Sequence, residues 1–129
     1  MIRVFLVADQ PATRAVLRLR LELEADLVVV GESGNDDETI SHVRALNPDV
    51  VILDAVTVLP DVGPAGALLH ELAHGRGVVV LSLHDDAATR GRALAAGARH
   101  VVGKHGADGL LLAAIRAAAV PRPPSGSAL

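Results

Sequence analysis

The sequence predicts an α/β fold in which a parallel sheet is covered by helices on both faces. Two observations lead to this prediction: short apolar runs recur five times along the 129 residues, and segments with helical spacing separate them. Strands that alternate with helices imply right-handed crossovers and a three-layer sandwich. Five such units form a (βα)5 domain, for which the flavodoxin-like strand order 2-1-3-4-5 is the common arrangement.

The five apolar runs are the predicted strands. Most are rich in Val and uninterrupted by polar residues, which is typical of strands buried on both faces of a parallel sheet. In chain order they are Val4–Val7, Leu27–Val30, Val50–Leu53, Val78–Leu81 and Val101–Val102.

Four of the intervening segments place apolar residues on one helix face. These faces carry Ala12, Val16, Leu19 and Leu23 in the first helix, Ile40, Val43 and Leu46 in the second, Leu68 and Leu72 in the third, and Leu111, Ala114 and Ala118 in the last. Pro11 suits a first helical turn, Asn35 with Glu38 resembles a capping box, and Gly97 suits a helix end.

The fourth helix has a weaker pattern than the others. It would run from Asp86 to Ala96, where Leu94 is the only large apolar residue. We therefore expect this helix to be loosely held against the sheet.

Composition narrows the classes of function. The chain contains one Phe, Phe5, and no Trp or Tyr. This composition excludes stacking platforms for single-stranded nucleic acid or sugars. The chain has no Cys and therefore no disulfide framework or Cys-based zinc site. A net charge of −3 without a Lys/Arg cluster gives no reason to expect direct nucleic-acid binding. No apolar run approaches the roughly 18 residues of a membrane helix, so we expect a soluble, cytoplasmic protein.

The chain is interpreted as one domain followed by a tail. Residues 1–119 contain all the predicted strands and helices. Residues 120–129 are rich in Pro, Ser and Gly, which is typical of a linker or a disordered end.

Polar side chains follow four of the predicted strands. Asp9 follows the first strand, Asp54 the third, Ser82 the fourth and Lys104 the fifth. In an open α/β sheet, ligands bind beyond the carboxyl ends of the strands, near the point where the strand order reverses. We therefore expect the four side chains to converge on one crevice. Each of them alone would more often be a turn former, a cap or a surface charge, but four in this order favour a functional site.

This set of residues suits a hard cation and a phosphoryl group. Two carboxylates and a main-chain carbonyl are ligands that Mg²⁺ prefers. Asp54 is a candidate nucleophile, because carboxylates form aspartyl phosphates in other enzymes. Lys104, the only lysine in the chain, and Ser82 would stabilise the transferring oxygens.

Over residues 2–119 the chain resembles the receiver domains of two-component response regulators, most closely those of the NarL/FixJ type of transcriptional regulator. The segments that carry the resemblance are IRVFLVADQP, VVVGES, NPDVVILD, VVVLSLHDD, ALAAGARHVVGKHG and LLLAAIRA. The resemblance implies that Asp54 accepts a phosphoryl group from a sensor histidine kinase, and that Asp9, Asp54 and the carbonyl of Val56 bind Mg²⁺. It also implies that Ser82 senses the phosphoryl group and that Lys104 pairs with it.

The same resemblance implies partners beyond the kinase. Family members of this type usually carry a DNA-binding output domain after a linker, so any contact with DNA would be made by a domain that these residues do not include. A homodimer fits the family as well, but the sequence assigns no dimer face.

The chain departs from the family pattern beside Asp9. The family usually has two acids where this chain has Ala8 and Asp9, and the missing acid mostly holds metal-bound water. Loss of such an outer partner typically costs roughly 10–100-fold in affinity or activity. We therefore expect weakened Mg²⁺ binding and slower phosphorylation.

Two further departures concern the switch from one state to the other. Val101 stands where the family often has an aromatic residue that rotates inward on activation. After Asp54 the family tends to have a Met-Pro pair followed by an Asp-Gly or Asn-Gly turn, whereas in this chain the proline and glycine have moved to Pro60 and Gly63. These features favour an alternative interpretation, a pseudo-receiver that acts as a phosphorylation-independent binding or dimerisation module.

The leading interpretation remains a phosphorylated receiver that switches an output in transcription, because Asp9, Asp54, Ser82 and Lys104 are all retained. A small hydrolase on the same scaffold ranks third, since the chain has no lid-sized insertion and no G-x-x-x-x-G-K loop. Catalysis would be limited to Mg²⁺-dependent self-phosphorylation and dephosphorylation. The six histidines are interpreted as scattered surface or loop residues.

Overall fold

The computed structural model describes residues 1–34, 38–55, 69–82, 87–103 and 108–120. Its elements are β1 (Ile2–Val7), α1 (Pro11–Glu22), β2 (Leu27–Ser33), α2 (Thr39–Leu46), β3 (Val50–Ala55), α3 (helical residues 69–72), β4 (Gly77–Ser82), α4 (Ala87–Ala95), β5 (His100–Gly103) and α5 (Asp108–Ala118). Each predicted apolar run lies within one of these strands.

The five strands form one parallel sheet in the order β2-β1-β3-β4-β5, which confirms the predicted topology. Every residue of β4 is buried, and so are the four residues at the carboxyl end of β1. Strands covered on both faces must be apolar on both faces, which explains the uninterrupted Val-rich runs.

Successive residues of β1, β3, β4 and β5 enter two different core layers, because side chains alternate between the faces of a sheet. One layer, beneath α1 and α5, contains Val4, Leu6, Ile52, Val79, Leu21 and Ile115. The other layer, beneath α2, α3 and α4, contains Phe5, Val7, Val51, Val78, Val43, Leu72 and Ala93. The predicted three-layer sandwich is therefore confirmed.

The predicted apolar face of α1 is not the face that packs on the sheet. Val16, Leu19 and Leu23 are 66%, 68% and 76% exposed, whereas Leu21 is fully buried and Leu17 packs partly against the core. The helix is rich in Leu on more than one side. Helical spacing alone therefore does not decide which side meets the sheet.

The other helix faces agree with the prediction wherever the structure describes them. Leu111, Ala114 and Ala118 of α5 are buried, and so are Val43 of α2 and Leu72 of α3. The predicted partner of Leu72 in α3, at position 68, lies outside the described residues. The predicted tail lies outside them as well, except for its first residue.

The helix ends are only partly as predicted. Pro11 begins α1, and Gly97 adopts a φ of 120° just after α4, as expected of a helix end. The helix α2, however, begins at Thr39, with Glu38 at the N-cap and no side-chain cap hydrogen bond. The predicted capping box, which needs Glu38 inside the helix, is therefore wrong, and Asn35 lies outside the described residues.

Thr39, the first residue of α2, makes side-chain hydrogen bonds to the end of β2. Its hydroxyl is fully buried, lies 3.0 Å from the hydroxyl of Ser33, and donates to the carbonyl of Gly34 at 2.7 Å. These bonds link the first residue of α2 to the end of β2.

The predicted fourth helix is present as α4, and it buries only small side chains. Thr89 and Ala93 are its buried residues, and Leu94 is 45% exposed. Within the part of the chain that the structure describes, no helix is both long enough and apolar enough to span a membrane.

Candidate functional site

Asp54 is a buried acid at the carboxyl end of the central strand β3. Its side chain is only 6% exposed. In the parallel register, Asp54 lies opposite Leu81 of β4, and the preceding Leu53 lies opposite Val7 of β1. Burial of a carboxylate is costly unless a cation or hydrogen-bond donors compensate its charge. This position is therefore one that a bound cation would stabilise.

Asp9 lies just beyond the carboxyl end of the neighbouring strand β1, at the same edge of the sheet. It follows Val7, the last residue of β1, by two positions, and its side chain is exposed. Because Val7 is in register with Leu53, Asp9 and Asp54 both extend beyond the carboxyl ends of adjacent parallel strands. We expected both acids to lie at one edge of the sheet, and the register agrees with this expectation.

Ser82 closes the next strand along the same edge. It is the last residue of β4, is 1% exposed, and lies opposite Ala55 of β3 and Gly103 of β5. Ser82 therefore ends the strand that flanks β3 on the side opposite to β1. The structure brings together three of the five predicted site residues, while Val56 and Lys104 lie outside the described residues.

Arg14 contacts the position of the missing acid, and sequence reasoning did not identify it. The guanidinium of Arg14 donates to the carbonyl of Ala8, and the amide of Ala8 donates to the carbonyl of Ser33 at 3.0 Å. Ala8 itself is 1% exposed. A cation therefore borders the acidic crevice at the residue before Asp9. No motif could have revealed this contact, since it depends on the path of a long side chain.

Glu32 of β2 balances the charge of Arg14. It accepts hydrogen bonds from Arg14 at 3.4 Å and from Arg18 at 2.9 Å. The hydrogen bond from Arg18 to Glu32 raises the pKa of that arginine. Because Glu32 takes up part of the positive charge, Arg14 leaves the acids of the crevice able to attract a cation.

The oxygen donors at this edge fit Mg²⁺. This ion takes carboxylate and carbonyl ligands, keeps several waters, and is commonly held by only one or two carboxylates of the protein. Asp9 and Asp54 supply that number. Across the described ranges, no group of three or more His, Cys, Asp or Glu side chains is arranged to hold a metal ion.

The far side of the crevice connects α4 to β5. Val101 is 4% exposed, and its carbonyl accepts a hydrogen bond from Arg90 of α4 at 2.9 Å. At this position the chain has a small, buried side chain. The hydrogen bond from Arg90 thus links α4 to the backbone of β5.

Comparison with known proteins identifies the family. Residues 4–116 match the response regulator receiver domain. The transcriptional regulatory protein UhpA of Salmonella typhimurium is 35% identical over 119 residues, which are 92% of this chain and 59% of that protein. A protein-glutamate methylesterase/protein-glutamine glutaminase of Anaeromyxobacter dehalogenans is 36% identical over 99 residues, which are 76% of this chain and 29% of that protein. The chain thus spans less than two thirds of the length of each relative.

Solved structures agree with this assignment. The response regulator domain of Thermotoga maritima CheB superposes with a TM-score of 0.76 at 28% identity, covering 95% of this chain and 99% of that domain. The receiver domain of the putative response regulator NarL from Mycobacterium tuberculosis superposes with a TM-score of 0.76 at 25% identity, covering 94% of this chain and 98% of that domain. The chain therefore belongs to the response regulator receiver domain family of two-component signalling.

Proposed function

We propose that Asp54 is the phosphoacceptor of this receiver domain and that a sensor histidine kinase is its phosphodonor. The observation that carries the proposal is the position of Asp54. It is buried at the carboxyl end of the central strand, with Asp9 beyond one neighbouring strand and Ser82 at the end of the other. A carboxylate in such a place is oriented by the sheet, not by a loop. A positioned nucleophile of this kind lowers the entropy cost of an in-line reaction.

In the proposed reaction, a carboxylate oxygen of Asp54 attacks the phosphorus atom of a phosphohistidine. The new bond is an O–P bond of an acyl phosphate, and the P–N bond of the donor breaks with return of the electron pair to the imidazole. Ser82 donates a hydrogen bond to a phosphoryl oxygen, and Lys104 pairs with the charge of the group. Such donors act on charge that spreads over the three equatorial oxygens in the transition state.

We further propose that Asp9, Asp54 and the carbonyl of Val56 hold Mg²⁺ in this crevice. The ion supplies charge neutralisation between the carboxylates and the phosphoryl oxygens. Asp9 is exposed just beyond β1, whereas Asp54 is held by the end of β3. The methyl group of Ala8 offers no oxygen for a metal-bound water, so Mg²⁺ affinity is expected to be weak.

The test is the uptake of one phosphoryl group in the presence of Mg²⁺ and acetyl phosphate, followed by intact mass spectrometry. We expect the native chain to gain one phosphoryl group and Asp54→Asn to gain none. Asp49→Asn is the matched control, because Asp49 immediately precedes β3 and lies at the opposite edge of the sheet. That variant should be phosphorylated like the native chain.

Two results would contradict the proposal. One is an unmodified native chain in a reaction where another receiver is phosphorylated alongside. The other is an equal gain in Asp54→Asn, which would place the phosphoryl group on a different residue.

The alternative function is a pseudo-receiver that binds a partner without phosphorylation. It is favoured by the contact between Arg14 and the carbonyl of Ala8, which places a cation where the family has an acid. An unmodified native chain in the same assay supports this alternative.

We also propose that the domain controls an output in transcription. Curated relatives of this chain, UhpA among them, are transcriptional regulatory proteins. By analogy, the phosphorylated domain would act in the cytoplasm on a DNA-binding output domain, with a homodimer as the active form. A comparison of sedimentation before and after phosphorylation tests the dimer.

A further inference from the structure

Two histidines form a pair at the carboxyl end of α3, remote from the acidic crevice. The ring centroids of His70 and His74 are 5.9 Å apart, and their planes meet at 81°. Both side chains are exposed. Residues four apart on a helix lie one above the other on the same face. The interpretation of the histidines as scattered residues therefore does not hold for this pair.

The backbone keeps this pair within one helical turn. The amide of Ala73 donates to the carbonyl of Leu69 at 2.9 Å, which continues the helical hydrogen bonding beyond residue 72. The amide of His74 donates to the carbonyl of Glu71 at 3.2 Å, and Gly75 then adopts a φ of 75°. The histidines thus occupy the last turn of the helix, whose dipole favours positive charge at this end.

We propose that His70 and His74 chelate one divalent transition-metal ion of the class that prefers imidazole, namely Cu²⁺, Ni²⁺ or Zn²⁺. Two histidine nitrogens at about 2 Å from a tetrahedral ion place their ring centroids about 5 Å apart. The observed separation of 5.9 Å is close to this value. Rotation of two exposed side chains is therefore enough to direct both nitrogens to one ion.

The sequence of this turn, His70-Glu71-Leu72-Ala73-His74, has the H-E-x-x-H pattern in which two histidines bind zinc from one helix face. In metalloproteases the glutamate of this pattern acts as a general base. Here Glu71 accepts a hydrogen bond from Arg44 of α2 at 3.0 Å. The described residues also bring no third His, Cys, Asp or Glu ligand to the pair. The site therefore binds metal without hydrolytic activity, and water completes the coordination.

The proposed metal site is separate from the proposed Mg²⁺ site in both place and chemistry. His74 lies just before the start of β4, whereas Ser82 at the end of β4 lies at the acidic edge. The length of this strand separates the two edges by roughly 16 Å. Mg²⁺ prefers oxygen ligands, while Cu²⁺, Ni²⁺ and Zn²⁺ accept imidazole. The inference is independent of phosphorylation at Asp54.

The test is calorimetric titration of the chain, prepared without a histidine tag, with Ni²⁺ and with Cu²⁺ in excess Mg²⁺. We expect one ion per chain, with Cu²⁺ bound more tightly than Ni²⁺. Loss of an outer partner of a metal ligand already costs about 10–100-fold in affinity, so removal of a ligand should cost at least about tenfold. His70→Gln and His74→Gln should each show this loss.

Two controls exclude other sources of binding. His42→Gln removes an exposed histidine of α2, and Asp54→Asn alters the acidic crevice; both should bind Ni²⁺ as the native chain does. The inference is overturned if the native chain binds no ion stoichiometrically. It is equally overturned if affinity survives in His70→Gln and His74→Gln, or if it is lost in Asp54→Asn instead.

Discussion

Ala8 is a single residue with a large expected effect on metal affinity. Its methyl group is buried beside Asp9, and its carbonyl accepts a hydrogen bond from Arg14. In the proposed Mg²⁺ site, the carboxylate ligands would be Asp9 and Asp54 alone. The remaining positions around Mg²⁺ would be filled by water that no side chain at position 8 holds in place.

Restoring an acid at this position should strengthen Mg²⁺ binding. We expect Ala8→Asp to bind Mg²⁺ about 10–100-fold more tightly than the native chain, because a carboxylate would hold a metal-bound water. Calorimetric titration with Mg²⁺ measures the change. Ala8→Asn is the control for size without charge and should gain much less. Equal affinity in the native chain and Ala8→Asp would show that the missing acid is not the limiting feature.

Substitution by alanine should destabilise the fold at Gly77 and stabilise it at Gly91. A Cβ atom at Gly77 would overlap the main-chain carbonyl of Ala118, whereas a Cβ atom at Gly91 would meet nothing within 4 Å. Backbone atoms cannot move aside as a flexible side chain can. We expect Gly77→Ala to lower the free energy of unfolding by about 1–3 kcal/mol, as overpacking does.

Gly91→Ala is the matched control, because Gly91 is exposed and lies within α4. Alanine is favoured over glycine inside a helix by about 0.5–1 kcal/mol, so this variant should be more stable than the native chain. Urea unfolding followed by circular dichroism measures both variants. A stable Gly77→Ala would mean that α5 can shift away from β4 at little cost.

At the scale of elements, α1 shows how a helix can be apolar on two sides. The side with Leu21 packs into the core, while Leu19 faces solvent. Removal of a buried Leu side chain leaves a cavity, so Leu21→Ala should lower the free energy of unfolding by about 2–5 kcal/mol. Leu19→Ala should change it by less than about 0.5 kcal/mol. Similar losses in both variants, measured by urea unfolding, would contradict the orientation of α1.

The helix α4 differs from α1 in having little apolar surface to bury. Its buried residues are Thr89 and Ala93, and its polar contact with β5 runs from Arg90 to the carbonyl of Val101. An element held by few apolar contacts opens at a low free energy. If Asp54 is phosphorylated as proposed, this property suits α4 to a shift between two conformations.

At the scale of the whole molecule, Arg116 joins the end of α5 to the turn between α1 and β2. Its guanidinium donates two hydrogen bonds to Asp26, at 2.8 and 3.0 Å, and one to Glu24 at 2.9 Å. These hydrogen bonds lower the pKa of both carboxyls, and Arg20 adds to the effect on Glu24. Residues 90 positions apart in the chain are thereby linked.

This link should make part of the stability depend on acid pH. A carboxyl with a lowered pKa in the folded state stabilises the fold above its ordinary pKa, and the stabilisation is lost as pH falls through the lowered value. The melting temperature of Arg116→Gln should therefore lie below that of the native chain at neutral pH, and the gap should shrink below about pH 4. High salt should also reduce this difference in melting temperature, because salt screens the ion pairs that Arg116 makes at the surface.

Melting curves over a range of pH measure this dependence, and a double-mutant cycle isolates it. In a chain that already carries Glu24→Gln and Asp26→Asn, the further change Arg116→Gln should have no pH-dependent effect. A gap between native and Arg116→Gln chains that stays constant down to acid pH would assign the role of Arg116 to packing alone.

The sequence alone was enough to predict the sheet, its strand order and the edge that carries Asp9, Asp54 and Ser82. Each of these depends on apolar runs of a few residues and on their order along the chain, and both can be read locally. The roles of Val56 and Lys104 stay predictions. The resemblance to receiver domains also came from local segments, and the family comparison confirmed it.

Only the tertiary structure decided which side of α1 is buried, where the side chain of Arg14 ends and what Arg116 joins. These features depend on contacts between separate elements, which for Arg116 are 90 residues apart in the chain. A periodic pattern indicates which faces of a helix are apolar, but it does not indicate which element each face packs against. Long-range packing makes that choice, because only one orientation of α1 allows Leu21 and α5 to share a core layer.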